Sequence, residues 1–181
     1  LDTVTYTFLA TIRALISGAD IYHFHSLGPS LFAFLPKLFG KNVVCTVHGL
    51  DWQREKWGGL ARKMLKLGEF IMMRVSDETI SVSENLVDYF EENYGRTPAY
   101  IPNGVYINPK PKSYLIKEQF GLEEDGYILF LSRIVPEKGL HFLIEAYQKI
   151  NTDKKLVIAG AASHSNEYFR FVHQMAHNNS D

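Results

Sequence analysis

A single cysteine, no long unbroken apolar run and almost no net charge mark this chain by what it lacks. Cys45 lies in the apolar run Asn42-Val-Val-Cys-Thr-Val47 with no second cysteine to pair with. That excludes a disulfide scaffold and fits a buried small hydrophobe in a reducing compartment. The longest apolar stretch, Leu27 to Phe39, is broken by Pro29, Pro36 and Lys37, and the opening Leu1 to Ser17 carries Asp2 and Arg13 inside its apolar pattern. Neither has the uninterrupted core of a membrane span or a signal peptide. With 19 basic against 20 acidic residues the formal net charge is −1, so no global basic field exists and no nucleic-acid partner is expected. The motifs G-x-G-x-x-G and G-x-x-x-x-G-K-[ST] are also missing, which argues against ordinary dinucleotide binding and against a P-loop NTPase.

What is present is the balance of a soluble globular protein, 46% hydrophobic and 22% charged, in 181 residues, enough for one ordinary domain or two small ones. Strand-like runs alternate with helical periodicity, the pattern of βαβ units and a parallel sheet. The strands are expected at Ile21–His25, Val43–Val47, Glu78–Val82, Ala99–Ile101, Tyr127–Leu131 and Lys155–Ala159. Helices are expected at the amphipathic N-terminus, Pro29–Phe39, Lys56–Val75, Asn85–Asn93 (opened by Ser83 or Glu84), Ser113–Phe120, Leu140–Ile150 and Asn166–Ala176. Leu60, Met64, Leu67 and Ile71 recur at three- and four-residue steps and mark the expected apolar face of the third of these. The stretch Pro102 to Pro111 holds three prolines and a glycine and reads as a connector, with a domain boundary near Gly104.

In doubly wound sheets ligands sit outside the carboxyl ends of the strands. The residues that follow each strand are therefore the candidates: His25-Ser26, His48 to Asp51, Ser83, Asn103-Gly104, Arg133 to Gly139 and Gly160 to Ser163. In Tyr127 to Tyr147, YILFLSRIVPEKGLHFLIEAY, a strand feeds a loop and then a helix N-terminus, a place that suits an anion. Arg133 offers a planar two-pronged contact and Lys138 a mobile point charge, which makes diphosphate the leading ligand. The plainer alternative is a solvated surface loop. His48 ends a strand, with Gly49 leaving room for a ligand beside the backbone; a histidine satisfied at a strand end is the plainer alternative there. His23, His25, His48 and Asp51 together would suit a metal-dependent hydrolase, although the H-x-H spacing is common and no further ligand pair completes a signature.

The segment LSRIVPEKGLHFLIEAY resembles the R-x-x-x-x-K-G region of the group 1 glycosyltransferases, family 4 in the sequence classification. The stretches VVCTVHGLD, ETISVSENLVDYF, YIPNGV and KLVIAG occur in the same order as in that family. The resemblance implies a GT-B fold, α/β, with parts of two Rossmann-like parallel-sheet domains joined by a hinge across a cleft. Residues 1–104 would be the later part of the N-terminal acceptor-side domain, and 105–181 the linker and early part of the C-terminal donor domain. The family's first glycine-rich loop would precede Leu1, and its acidic E-x7-E donor motif would follow Asp181. Glu137/Glu145 and Glu84/Glu92 both satisfy that spacing outside its glycine-rich context, so neither pair is assigned to it.

By the same resemblance, Arg133 and Lys138 would hold the diphosphate of a nucleotide-sugar donor and stabilise the leaving group. His48 would contact the sugar near the reacting carbon, and Gly49 and Asn103 would join the substrate site. Transfer with retention to a saccharide or lipid-linked acceptor follows, in the cytoplasm where nucleotide sugars are made, with no cofactor or bound metal. HGLDWQREKWGG resembles the acceptor domain of rhamnosyl- and glucosyltransferases of surface-polysaccharide assembly, which implies a hexosyl- or rhamnosyl-type enzyme. The helix from Lys56 to Arg74 carries Lys56, Arg62, Lys63, Lys66 and Arg74 against one acid, Glu69, which would suit peripheral contact at the inner membrane face; an ordinary surface helix is the plainer alternative. A non-catalytic nucleotide-binding module is the remaining alternative.

Overall fold

The computed structural model describes residues 2–54, 57–107, 114–162 and 166–177. Lys56, much of the expected connector after Ile107, Ser113, Ser163 and the tail beyond His177 lie outside the described residues. The chain divides into two compact units, Leu1–Tyr106 and Ile107–Asp181.

The first unit is built on a parallel sheet of β1 (Ile21–His25), β2 (Asn42–Val47), β3 (Glu78–Ser81) and β4 (Ala99–Tyr100), in that order. Strand alternation explains its layers. Tyr22, Phe24, Val43, Cys45 and Val47 are buried in one core with Leu27, Met72 and Phe90. His23, His25 and Thr46 take the alternate positions. The helices are α1 (Asp2–Ile16), α2 (Leu27–Ser30), α3 (Phe34–Leu38), α4 (Gly59–Val75) and α5 (Glu84–Tyr94).

Two expectations change here. The helix expected over Pro29–Phe39 is two short helices, because Pro36 has no N–H for the Phe32 carbonyl and its ring would clash with it. The apolar face expected on α4 is also turned: Leu60 and Leu67 are exposed, while Leu65, Gly68, Glu69, Met72 and Met73 are buried. The cause is Gly68, where a Cβ would stand 2.1 Å from the Leu27 carbonyl oxygen. Glycine alone permits that approach, and it brings the Gly68 side of α4 against α2.

The second unit pairs β5 (Tyr127–Leu131) with β6 (Lys155–Ala159) in parallel, flanked by α6 (Tyr114–Phe120), α7 (Leu140–Tyr147) and α8 (Asn166–His177). Its core joins Ile134, Leu140, Ile144 and Val172. The last turn of α7 tightens, with Lys149 N–H on Ala146 O (3.1 Å), so the helix stops short of the expected Ile150. Among the described residues no helix is long and apolar enough to cross a membrane.

Candidate active site

In the first unit, β1 and β2 run side by side with His23 opposite Val44 and His25 opposite Thr46. His48 follows β2 and, by alternation, shares the side of the sheet that carries Thr46. His25 Nδ1 lies 3.1 Å from His48 Nε2, so one of the two rings donates to the other. The rings stack with centroids 5.4 Å apart, and His23 stands 4.2 Å from His25. His23 Nε2 is 2.7 Å from Thr46 Oγ1. Its pKa falls below the ordinary 6.5, first because the ring is partly desolvated and then because charge on His25 and His48 would oppose its own.

Asp51 does not join the histidines; its carboxylate pairs with Arg54 at 3.3 Å. Among the described residues no three histidine, cysteine or carboxylate side chains are grouped to hold a metal ion, so the set His23, His25, His48 and Asp51 does not form the centre that the hydrolase alternative requires. A Cβ on Gly49 would meet nothing within 4 Å, which leaves open space beside the His48 backbone. Ser26, just past β1, has φ 71° and ψ 161°, a region occupied almost entirely by glycine, and is held there by its N–H on Thr46 O at 2.8 Å. Backbone strain thus sits at the same strand ends as the histidine pair. A cavity of about 390 Å³ lies beside them between α1 and β1, lined in part by Tyr6, Thr11, Tyr22, His23 and His25. Asn103 is exposed on the segment beyond β4, which is anchored by Ile101 N–H on Ser81 O at 2.9 Å.

In the second unit, Arg133 and Lys138 both stand exposed on the loop between β5 and α7. Among the described residues neither is in an ion pair. The loop is stiff. Val135 N–H meets Arg133 O at 3.1 Å, the 3-10 turn Pro136–Lys138 ends on left-handed Gly139 (φ 67°), and Ile134 N–H reaches Ala161 O at 3.0 Å. The helix-end cradle expected from sequence is narrower than supposed. Lys138 and Gly139 N–H groups bond within the 3-10 turn, and His141 N–H donates to Tyr168 Oη at 3.3 Å. Positive charge here falls chiefly to the two side chains.

Sequence reasoning missed two supports of this loop. A Cβ on Gly160 would lie 1.9 Å from Ser132 O, so the chain leaving β6 passes against the residue preceding Arg133. Tyr168 of α8 meets His141 Nδ1 at 2.8 Å as well as its N–H. The glycine turn was visible as KLVIAG, whereas nothing in the helical pattern distinguished Tyr168. A cavity of about 590 Å³ in this unit, lined by Ile144, Tyr147, Lys155 and Met175 among others, contains neither cation.

The profile of Glycosyltransferase Family 4 matches residues 3–108, more than half of the chain. The chain belongs to glycosyltransferase family 4. The profile of Glycosyl transferases group 1 matches residues 114–180. No curated protein matches at a significant level. Sugar transfer is the reaction class of these glycosyltransferase families, and the mixed α/β units with parallel sheets fit parts of their Rossmann-like GT-B domains.

Proposed function

We propose that this glycosyltransferase chain takes part in moving a hexosyl- or rhamnosyl-type sugar, with retention, from a nucleotide diphosphate donor to a saccharide or lipid-linked acceptor in cytoplasmic surface-polysaccharide or glycoconjugate synthesis. The observation that carries it is the pair Arg133 and Lys138, exposed without ion-pair partners among the described residues on one hydrogen-bonded loop at the carboxyl end of β5. As the bond from the anomeric carbon to the phosphate oxygen breaks, negative charge grows on the diphosphate, and two preorganised cations stabilise it. The acceptor hydroxyl forms the new bond and passes its proton to the departing phosphate oxygen. His48, Gly49 and Asn103 are assigned to substrate positioning.

Titrating the full-length protein with nucleoside diphosphates tests the assignment. Arg133→Ala and Lys138→Ala should each weaken binding by about 1.5–3 kcal/mol, the worth of a charged hydrogen bond. Unchanged affinity in both variants overturns it.

A peripheral membrane contact belongs to the same proposal. On α4, Leu60, Leu67 and Phe70 are exposed, and the basic residues Lys63, Lys66 and Arg74 are exposed on the same helix, with the Arg74 guanidinium 5.6 Å from the centre of the Phe70 ring. The full-length protein should sediment with phosphatidylglycerol vesicles and not with phosphatidylcholine vesicles, and the double variant Leu67→Glu/Phe70→Glu should stay in solution. Failure of the unaltered protein to bind either vesicle ends this part of the reading.

A further inference from the structure

The most unusual group outside the assigned site is Glu69, 2% exposed on the buried side of α4. Removing a carboxylate from water costs several kcal/mol unless its charge is compensated. No cation compensates it: the ion pairs among the described residues do not include Glu69. Three neutral donors do so instead. Trp52 Nε1–H donates to Oε2 at 2.7 Å, and the hydroxyls of Tyr89 and Tyr94 donate to Oε1 at 2.9 and 2.6 Å. Burial and the neighbouring carboxylate push the Tyr89 hydroxyl up to about 12 and raise that of Tyr94 as well, so both remain protonated donors. An indole N–H can only donate, so Oε2 must face it as an acceptor.

These donors come from two separate segments. Tyr89 and Tyr94 belong to α5, whereas Trp52 lies in the 3-10 turn Asp51–Gln53 four residues after His48. The link between His48 and Trp52 is short and internally bonded, with Asp51 N–H on Gly49 O at 3.0 Å and Gln53 N–H on Leu50 O at 2.9 Å. Leu50 and Trp52 both pack against the first unit's core, and Lys66 Nζ lies 4.3 Å from the centre of the Trp52 ring. Trp52 thus ties the segment that follows His48 to the core and to Glu69.

We propose that Glu69 is a positioning residue for the substrate site, acting through Trp52 to hold the segment that carries His48 and Gly49. The proposal rests on the reading of His48 as a substrate contact. An apolar residue would fill the same space, but it would not choose one indole orientation. The carboxylate does.

The test combines nitrogen-15 spectra of the histidine rings with the exchange rate of the Trp52 indole proton, both in the full-length protein. Glu69→Ala should speed indole exchange by about tenfold or more, the factor expected for one lost hydrogen bond. It should also shift the His48 ring signals from their single wild-type positions. Trp52→Phe should shift the same His48 signals. Glu69→Gln should restore them largely, because its amide oxygen can accept from Trp52 while its NH₂ group donates to tyrosine oxygens that have turned to accept. A carboxylate that only braces the fold would lower the melting temperature of Glu69→Ala and leave the His48 signals of the folded protein in place. Wild-type His48 signals in both Glu69→Ala and Trp52→Phe therefore overturn the proposal. Nucleoside diphosphate binding is measured alongside. Its absence from the unaltered protein counts against the substrate-site reading alone, since the ring signals decide the positioning claim without any ligand.

Discussion

Protonating His23 works against the fold. Its ring loses water beside Thr46 and faces His25 on its own strand and His48 from the next, so its folded pKa lies below the ordinary 6.5. A group with a lowered folded pKa binds its proton more tightly in the unfolded chain. The stability it contributes is complete above about pH 6.5, the unfolded value, and is lost as pH falls through the folded one. His23→Gln keeps a hydrogen-bonding partner for Thr46 and removes the titration. Its melting temperature should therefore fall less than that of the unaltered protein between about pH 7.5 and about pH 5.5, a window that spans the unfolded value, where the loss begins. Parallel falls in the two proteins would show that His23 does not carry this dependence.

Close approach, more than charge, holds the second unit's loop in place. Because a Cβ on Gly160 would come within 1.9 Å of Ser132 O, an alanine there must push the ends of β5 and β6 apart next to Arg133. Gly160→Ala should cost about 1–3 kcal/mol, as overpacking does, and should weaken nucleoside diphosphate binding, measured by denaturant unfolding and titration. Gly58→Ala, where a Cβ meets nothing within 4 Å, serves as the neutral control. Equal stability of the two variants would remove Gly160 from the argument. Elements of this kind were legible in uneven degree. Both strands of this sheet, Tyr127–Leu131 and Lys155–Ala159, have the bounds that apolar runs between turn signals predicted. The face of α4 was misjudged because periodicity weighs only apolar side chains. Gly68 contributes no side chain, yet its contact with the Leu27 carbonyl orients the helix and buries Glu69 in place of Leu67. Glu69 looked like the lone acid of a basic surface helix, and its partners Trp52, Tyr89 and Tyr94 are 17 to 25 residues away in sequence. The strand-end placement of Arg133, Lys138 and His48 was legible because strand ends are read locally, whereas the Glu69 network is made by tertiary contact and has no local signature.

Among the described residues each compact unit has its own core, with eleven buried residues in the first cluster and four in the second. The first joins residues from β1, β2 and several helices around fully buried Leu27, Met72 and Phe90, whereas the second has, among the described residues, a two-stranded sheet and the cluster Ile134, Leu140, Ile144 and Val172. Two strands alone are marginal in water, so helix packing on Leu140 and Ile144 must supply most of the second unit's stability. Phe90→Ala removes about 3–5 kcal/mol of core packing and Ile144→Ala about 2–5 kcal/mol. If each core governs only its own unit, amide exchange followed by mass spectrometry should show lost protection in β1 to β3 for Phe90→Ala and in β5, β6 and α7 for Ile144→Ala. The smaller core should also give the larger fractional loss, because Ile144 is one of four buried residues in its cluster among the described residues. Protection lost throughout the chain from either substitution would mean that the units unfold together, and stability could then no longer be assigned to the two cores separately.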